Sequence, residues 1–144
     1  MRSFIYKDNN EFNTNMYKLM NCFKDKNLNY KWLITDIETT DYDFLNEEYI
    51  IIKHHDLMKL LEKNKDIQWI WAVFSAIPSK YSDDDILKYN LPSITDSKDI
   101  TNNIKHPLAE IEIDCIDSSY AKIIFKDEKI KELFDLNKGE VYEK

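Results

Sequence analysis

Apolar residues recur at helical spacing from Phe12 through Met16, Leu19, Met20 and Phe23, which predicts an amphipathic helix over residues 9–25. Asp8 and Glu11 stand at the spacing of a capping box at its start. Residues 30–36 (Tyr-Lys-Trp-Leu-Ile-Thr-Asp) read as a strand and residues 49–53 as a second, with an acidic loop from Asp41 to Glu48 between them. His55 to Asn64 reads as a helix with Leu57, Leu60 and Leu61 facing inward. From Ile67 to Ile77 both alternations are apolar: Ile67, Trp69, Trp71, Val73 and Ile77 on one, Ile70, Ala72, Phe74 and Ala76 on the other. That is the pattern of a central strand covered on both faces, ended by Pro78, which cannot donate to a ladder.

A short helix follows from Ser82 through Lys88, with Asp83, Asp84 and Asp85 in its first turn. Residues 91–107 are the longest irregular stretch, a surface loop or lid. Leu108 to Ile116 then alternates, with Ile111, Ile113 and Cys115 on one face and Glu110, Glu112 and Asp114 on the other. This predicts a half-buried strand with an acidic outer face. Asp117-Ser118-Ser119 is turn chemistry, and Tyr120 to Phe125 returns as its hairpin partner. Asp127 caps a last helix whose Ile130, Leu133 and Phe134 pack inward. The predicted fold is a single α+β domain over residues 1–144, with helices on one face of a mainly antiparallel sheet.

Composition narrows the chemistry. With 43% hydrophobic, 13% aromatic and 33% charged residues, the chain has the make-up of a globular protein able to bury roughly two-thirds of its unfolded surface. Gly139 is the single glycine, so neither a GxGxxG nor a phosphate-cradling P-loop is available, and nothing calls for a cofactor. Cys22 and Cys115 are far apart and no CxxC occurs, which gives no sign of a thiol redox pair or a zinc knuckle. The first residues, Met-Arg-Ser-Phe-Ile-Tyr-Lys, lack the apolar run of a signal peptide. The apolar stretch from Ile67 to Pro78 is too short to span a bilayer. A cytoplasmic protein without a membrane segment is the expectation. Abundant Ile, Lys and Asn beside one arginine and one glycine suggest an AT-rich bacterial genome.

The net charge of −7 argues against a nucleic-acid partner, which would need a basic face. Charge is arranged in blocks: +3 over residues 1–31, −6 over 32–56, +2 over 57–80, −6 over 81–120 and neutral thereafter. Asp83 to Asp85 are explained by capping, whereas Glu110, Glu112 and Asp114 repel one another unless Lys122 or Lys126 on the hairpin partner lies opposite. With Asp117 they form the expected docking face for a basic protein, because complementary potentials speed and orient association.

Leu33-Ile34-Thr35-Asp36-Ile37-Glu38-Thr39-Thr40 resembles the first motif of the DnaQ-like 3′–5′ exonucleases. The resemblance implies that Asp36 and Glu38, two apart on one strand, hold catalytic metal ions of an exonuclease or phosphoesterase. The chain departs from that pattern where Asp41 replaces a glycine and where the family's second carboxylate motif is absent. Tyr81-Ser82-Asp83-Asp84-Asp85 matches its Tyr-x-x-x-Asp element. His54 and His55 are adjacent and so diverge from any common metal, and His106 precedes Pro107; all three read as surface or helix-boundary residues. Trp32, Trp69 and Trp71 could alternatively line a small-molecule pocket, with core packing as the competing role.

A broader resemblance covers residues 67–136. Ile67 to Ser75, His106 to Ile113 and Asp117-Ser118-Ser119 are similar to a family of uncharacterised small proteins from bacilli and clostridia. It implies an intracellular bacterial domain and assigns no catalytic residue. In acidity and size the chain also resembles toxin-neutralising immunity proteins, which implies a non-enzymatic protein that shields a basic partner.

Overall fold

A computed structural model of the chain describes residues 2–6, 14–24, 28–41, 43–94, 103–139 and 141–143. The doubly apolar stretch becomes a strand in the middle of one antiparallel sheet. The strands are β1 (Arg2–Tyr6), β2 (Tyr30–Thr39), β3 (Tyr49–Lys53), β4 (Trp69–Pro78), β5 (Ile111–Ile116), β6 (Tyr120–Phe125) and β7 (Val141–Glu143). Their spatial order is β3-β2-β4-β5-β6-β1-β7, and every neighbouring pair is antiparallel. The helices are α1 (Met16–Leu19), α2 (Asn21–Lys24), α3 (His54–Lys63), α4 (Asp83–Ile86) and α5 (Glu128–Lys131). The α+β expectation holds.

One face of the sheet carries Trp32, Ile34, Phe74, Ile113, Ile123 and Phe125, buried beneath α1, α2, α3 and Phe134. Alternation along each strand puts the next residues on the second face, where Leu33 and Ile77 pack against Ile86 and Ala109, and Val73 against Ile94 and Ile116. The segment after β4 therefore crosses back over the second face. Glu110 N–H donates to Ala76 O at 2.9 Å, and Thr35 Oγ1 donates to Pro92 O at 2.7 Å, fastening it there.

Several expectations change. Of the helix predicted over residues 9–25, the described part, residues 14–24, holds two short turns: Asn15 caps α1 by accepting from Lys18 N–H, and Met20 closes α1 as its C-cap. Thr14 cannot join that helix because its hydroxyl and carbonyl are both bonded to the backbone of Trp69. The capping box at Asp8 and Glu11, with Phe12, lies outside the described residues. β1 and β7 are strands that periodicity did not reveal; Phe4 and Tyr6 of β1 and Val141 of β7 join the core. The capping box of α4 forms as predicted between Ser82 and Asp85, and Asp127 caps α5 through Ile130 N–H. α5 stops at Lys131, however, and Leu133 is exposed while Phe134 turns into the core.

Two bulges decide what the tryptophans do. Between β2 and β4 the register shifts so that Thr39 pairs with Trp69 but Glu38 with Trp71, leaving Ile70 extra. Trp69 thus joins the face of Ala72 and Phe74, opposite Trp71, and not the same face as predicted. Trp32 and Trp69 are buried in the core, and Trp71 alone stays half-exposed, so the three line no common pocket.

Candidate functional site

The second bulge lies on β2. Between Thr35 and Glu38 three steps on β2 face two on β4, and Asp36 takes a φ of 52°, a left-handed conformation that aspartate tolerates better than most residues. Asp36 Oδ2 accepts the Ile94 N–H at 2.7 Å, so this carboxylate ties the crossing segment to the sheet. The kink re-aims the end of β2. Asp36, Ile37, Glu38, Glu47, Glu48 and Trp71 line a shallow concavity of about 440 Å³ at this end of the sheet. Among the described residues no salt bridge reaches Glu38, Glu47 or Glu48. From Trp32 to Ile52 the chain has no lysine or arginine, so the carboxylates lack cations from their own segments.

Asp117 belongs to the same end. It and Ser118 form the β5–β6 turn with φ of 48° and 57°, and Ser118 N–H donates to Ile70 O at 3.1 Å, beside the β4 bulge. Its predicted companions lie elsewhere. Glu110 accepts a hydrogen bond from Tyr30 OH at 2.7 Å, while Glu112 and Asp114 are both 0% exposed. The expected acidic outer face of β5 is therefore overturned: the segment from Lys105 to Glu110 covers it.

That burial is made tolerable by internal cations. The backbone N–H of Lys105 donates to Glu112 Oε1 at 2.8 Å, and its Nζ donates to Oε2 at 3.1 Å and lies 3.6 Å from Asp114 Oδ2. Lys122, also buried, stands opposite Asp114 in the β5–β6 register, the cross-strand pairing that the sequence had offered as relief. Burial, reinforced by the neighbouring Glu112, pushes the Asp114 carboxyl up to about 8 against the pull of Lys105 and Lys122. This cluster clamps the segment around Lys105 to the sheet, and neither of its carboxylates faces solvent.

Asp36 and Glu38 share the concavity, but Asp36 is already engaged by Ile94, and among the described residues no three His, Cys, Asp or Glu side chains come together to hold a metal ion. His54 opens α3, the helix-boundary place expected of it, but two of the three histidines are not surface residues. His54 and His106 are buried. Trp32 Nε1–H can only donate, so His54 Nδ1 accepts it at 3.0 Å and Nε2 donates to Phe23 O. His106 repeats the arrangement, accepting Leu108 N–H at Nδ1 and donating to Ile86 O at 2.9 Å. Burial lowers the His54 pKa, which keeps that ring neutral. Only His55 is exposed.

No sequence signal places Trp71 at the centre of the acidic end, because unbroken alternation puts it on the face of Trp69. Among the described residues no helix is long and apolar enough to cross a membrane. Compared with family models, curated proteins and solved structures, the chain matches none.

Proposed function

We propose that this protein is a non-enzymatic binding protein that docks a basic protein on the acidic, Trp71-centred end of its sheet. One observation carries the reading: Glu38, Glu47 and Glu48 surround a half-exposed tryptophan in a concavity without a described salt bridge to neutralise them. An aromatic face flanked by carboxylates suits a lysine or arginine side chain, which gains from both the ring quadrupole and the opposite charge. Asp117 on the adjoining hairpin tip extends the same potential. Unpaired charge of one sign steers association and shields a basic site, the behaviour expected of an immunity-like protein.

The test begins with a pull-down from the native host and measures the association rate of the captured basic partner. Glu38→Lys should slow association by about tenfold at low salt, and Trp71→Ala should speed dissociation. Glu62→Lys on α3 should change neither. An association rate indifferent to Glu38→Lys and to salt would sink the reading. The metal-dependent exonuclease or phosphoesterase reading at Asp36 and Glu38 would instead be carried by magnesium-dependent degradation of single-stranded DNA that Asp36→Asn abolishes.

A further inference from the structure

β3 ends the sheet on one side, as β7 does on the other, and its side chains run in a self-complementary order. Tyr49-Ile50-Ile51-Ile52-Lys53 is preceded by Glu47-Glu48 and followed by His54-His55. Its inner side pairs with β2 in unbroken register, from Lys31 opposite Lys53 to Thr35 opposite Tyr49. Its outer side ends the sheet. Edge strands are ordinarily blunted by bulges, prolines or inward charges, because unpaired backbone groups template further pairing. β3 is short and carries Lys53, but it has no bulge, proline or inward charge. Its three isoleucines are each only half-buried, and its single charge is at one end.

We propose that β3 pairs antiparallel with β3 of a second copy of this chain, making one continuous sheet across a two-fold axis. The symmetry fixes the register. An axis normal to the sheet maps each face onto itself, so residues of equal parity must oppose one another. With the axis at Ile51, that residue meets its own symmetry mate, Ile50 meets Ile52 twice, and Tyr49 meets Lys53 twice. Glu47 then stands diagonal to Lys53 of the second copy, within reach of its long side chain. The acidic start of one strand thus meets the basic end of the other at both ends of the joint. Backbone bonds supply association and the isoleucine pairs supply burial. A shift of two residues brings Glu47 directly opposite Lys53, so attraction between these two survives either seating.

The proposal shares Glu47 with the docking site but is read from oligomeric state at Ile51 and Lys53, whereas docking is tested at Glu38 and Trp71. Here sedimentation of the whole chain over a range of concentrations should show a monomer–dimer equilibrium. Ile51→Cys should cross-link to itself under mild oxidation, since the native Cys22 and Cys115 are both buried. Lys53→Glu should weaken the dimer by about tenfold, and the swap Glu47→Lys with Lys53→Glu should restore it. Circular dichroism checks that each variant folds. A chain that stays monomeric to millimolar concentration with no cross-link in Ile51→Cys overturns the proposal. So does a dimer indifferent to Lys53→Glu.

Discussion

Asp114 occupies a place where burial opposes ionisation, and the consequence is a pH dependence of known sign. Its carboxyl titrates at about 8 in the folded chain against an ordinary 3.8. A raised folded pKa means that its contribution to stability is complete below 3.8 and is lost as pH climbs through about 8. Between those values the unfolded chain binds fewer protons than the native one, so stability falls with rising pH. Asp114→Asn keeps a neutral hydrogen-bonding group of similar size beside Glu112, and should remove that decline and leave the protein more stable than the parent at pH above 8. Urea unfolding from pH 4 to 9 measures this; a gap between variant and parent that stays constant across the range contradicts it. His54 acts with opposite sign. Its lowered pKa contributes stability above the ordinary 6.5 that is lost as pH falls through the folded value, when protonation of Nδ1 would set N–H against the Trp32 indole donor.

The two bulges between β2 and β4 show how one extra residue redistributes function along an element. Had alternation run unbroken, Trp69 and Trp71 would share a face and a fate. Ile70 is extra, so Trp69 packs edge-on against Phe74 at 4.9 Å and Phe44 at 5.7 Å, while Trp71 reaches the acidic concavity. Trp69→Ala should cost about 3–5 kcal/mol, as emptying a core site does, and Trp71→Ala about 1 kcal/mol or less. Thermal or denaturant unfolding of the two single variants decides it. Equal losses would mean that the tryptophans occupy equivalent positions and that the β4 bulge is absent.

At the scale of the whole molecule the sheet is asymmetric in protection. β4 and β5 lie inside it, covered on one face by α1, α2 and α3 and on the other by α4 and residues 91–94 and 103–110, whereas β3 and β7 end it. Amide hydrogen exchange should therefore be slowest in Ala72 to Ile77 and Ile111 to Cys115, opening only with global unfolding, and fastest at the two edges. Protection of β3 that rises with protein concentration would be the mark of the paired edge. Central strands that exchange as fast as β3 would refute this layering.

Whatever depends on near neighbours could be read from the order of residues. Apolar alternation located β2 to β6, the Ser82–Asp85 box located α4, and Asp127 the start of α5, because side-chain period and capping are settled within a few residues. The acidic blocks were legible too, as was Lys122 as a cross-strand partner for Asp114. Tertiary structure alone decided which carboxylates face solvent. Glu112 and Asp114 alternate like an outer face, yet Lys105 folds over them and takes them inside, while the concavity assembles from Asp36 and Glu38 on β2, Trp71 on β4, and Glu47 and Glu48 in the loop before β3. The physical reason is that alternation assigns a residue to a side of the sheet and contains nothing about what covers that side. A bulge reverses the assignment at a position that no local pattern marks, and only the packed chain shows which carboxylates remain in water.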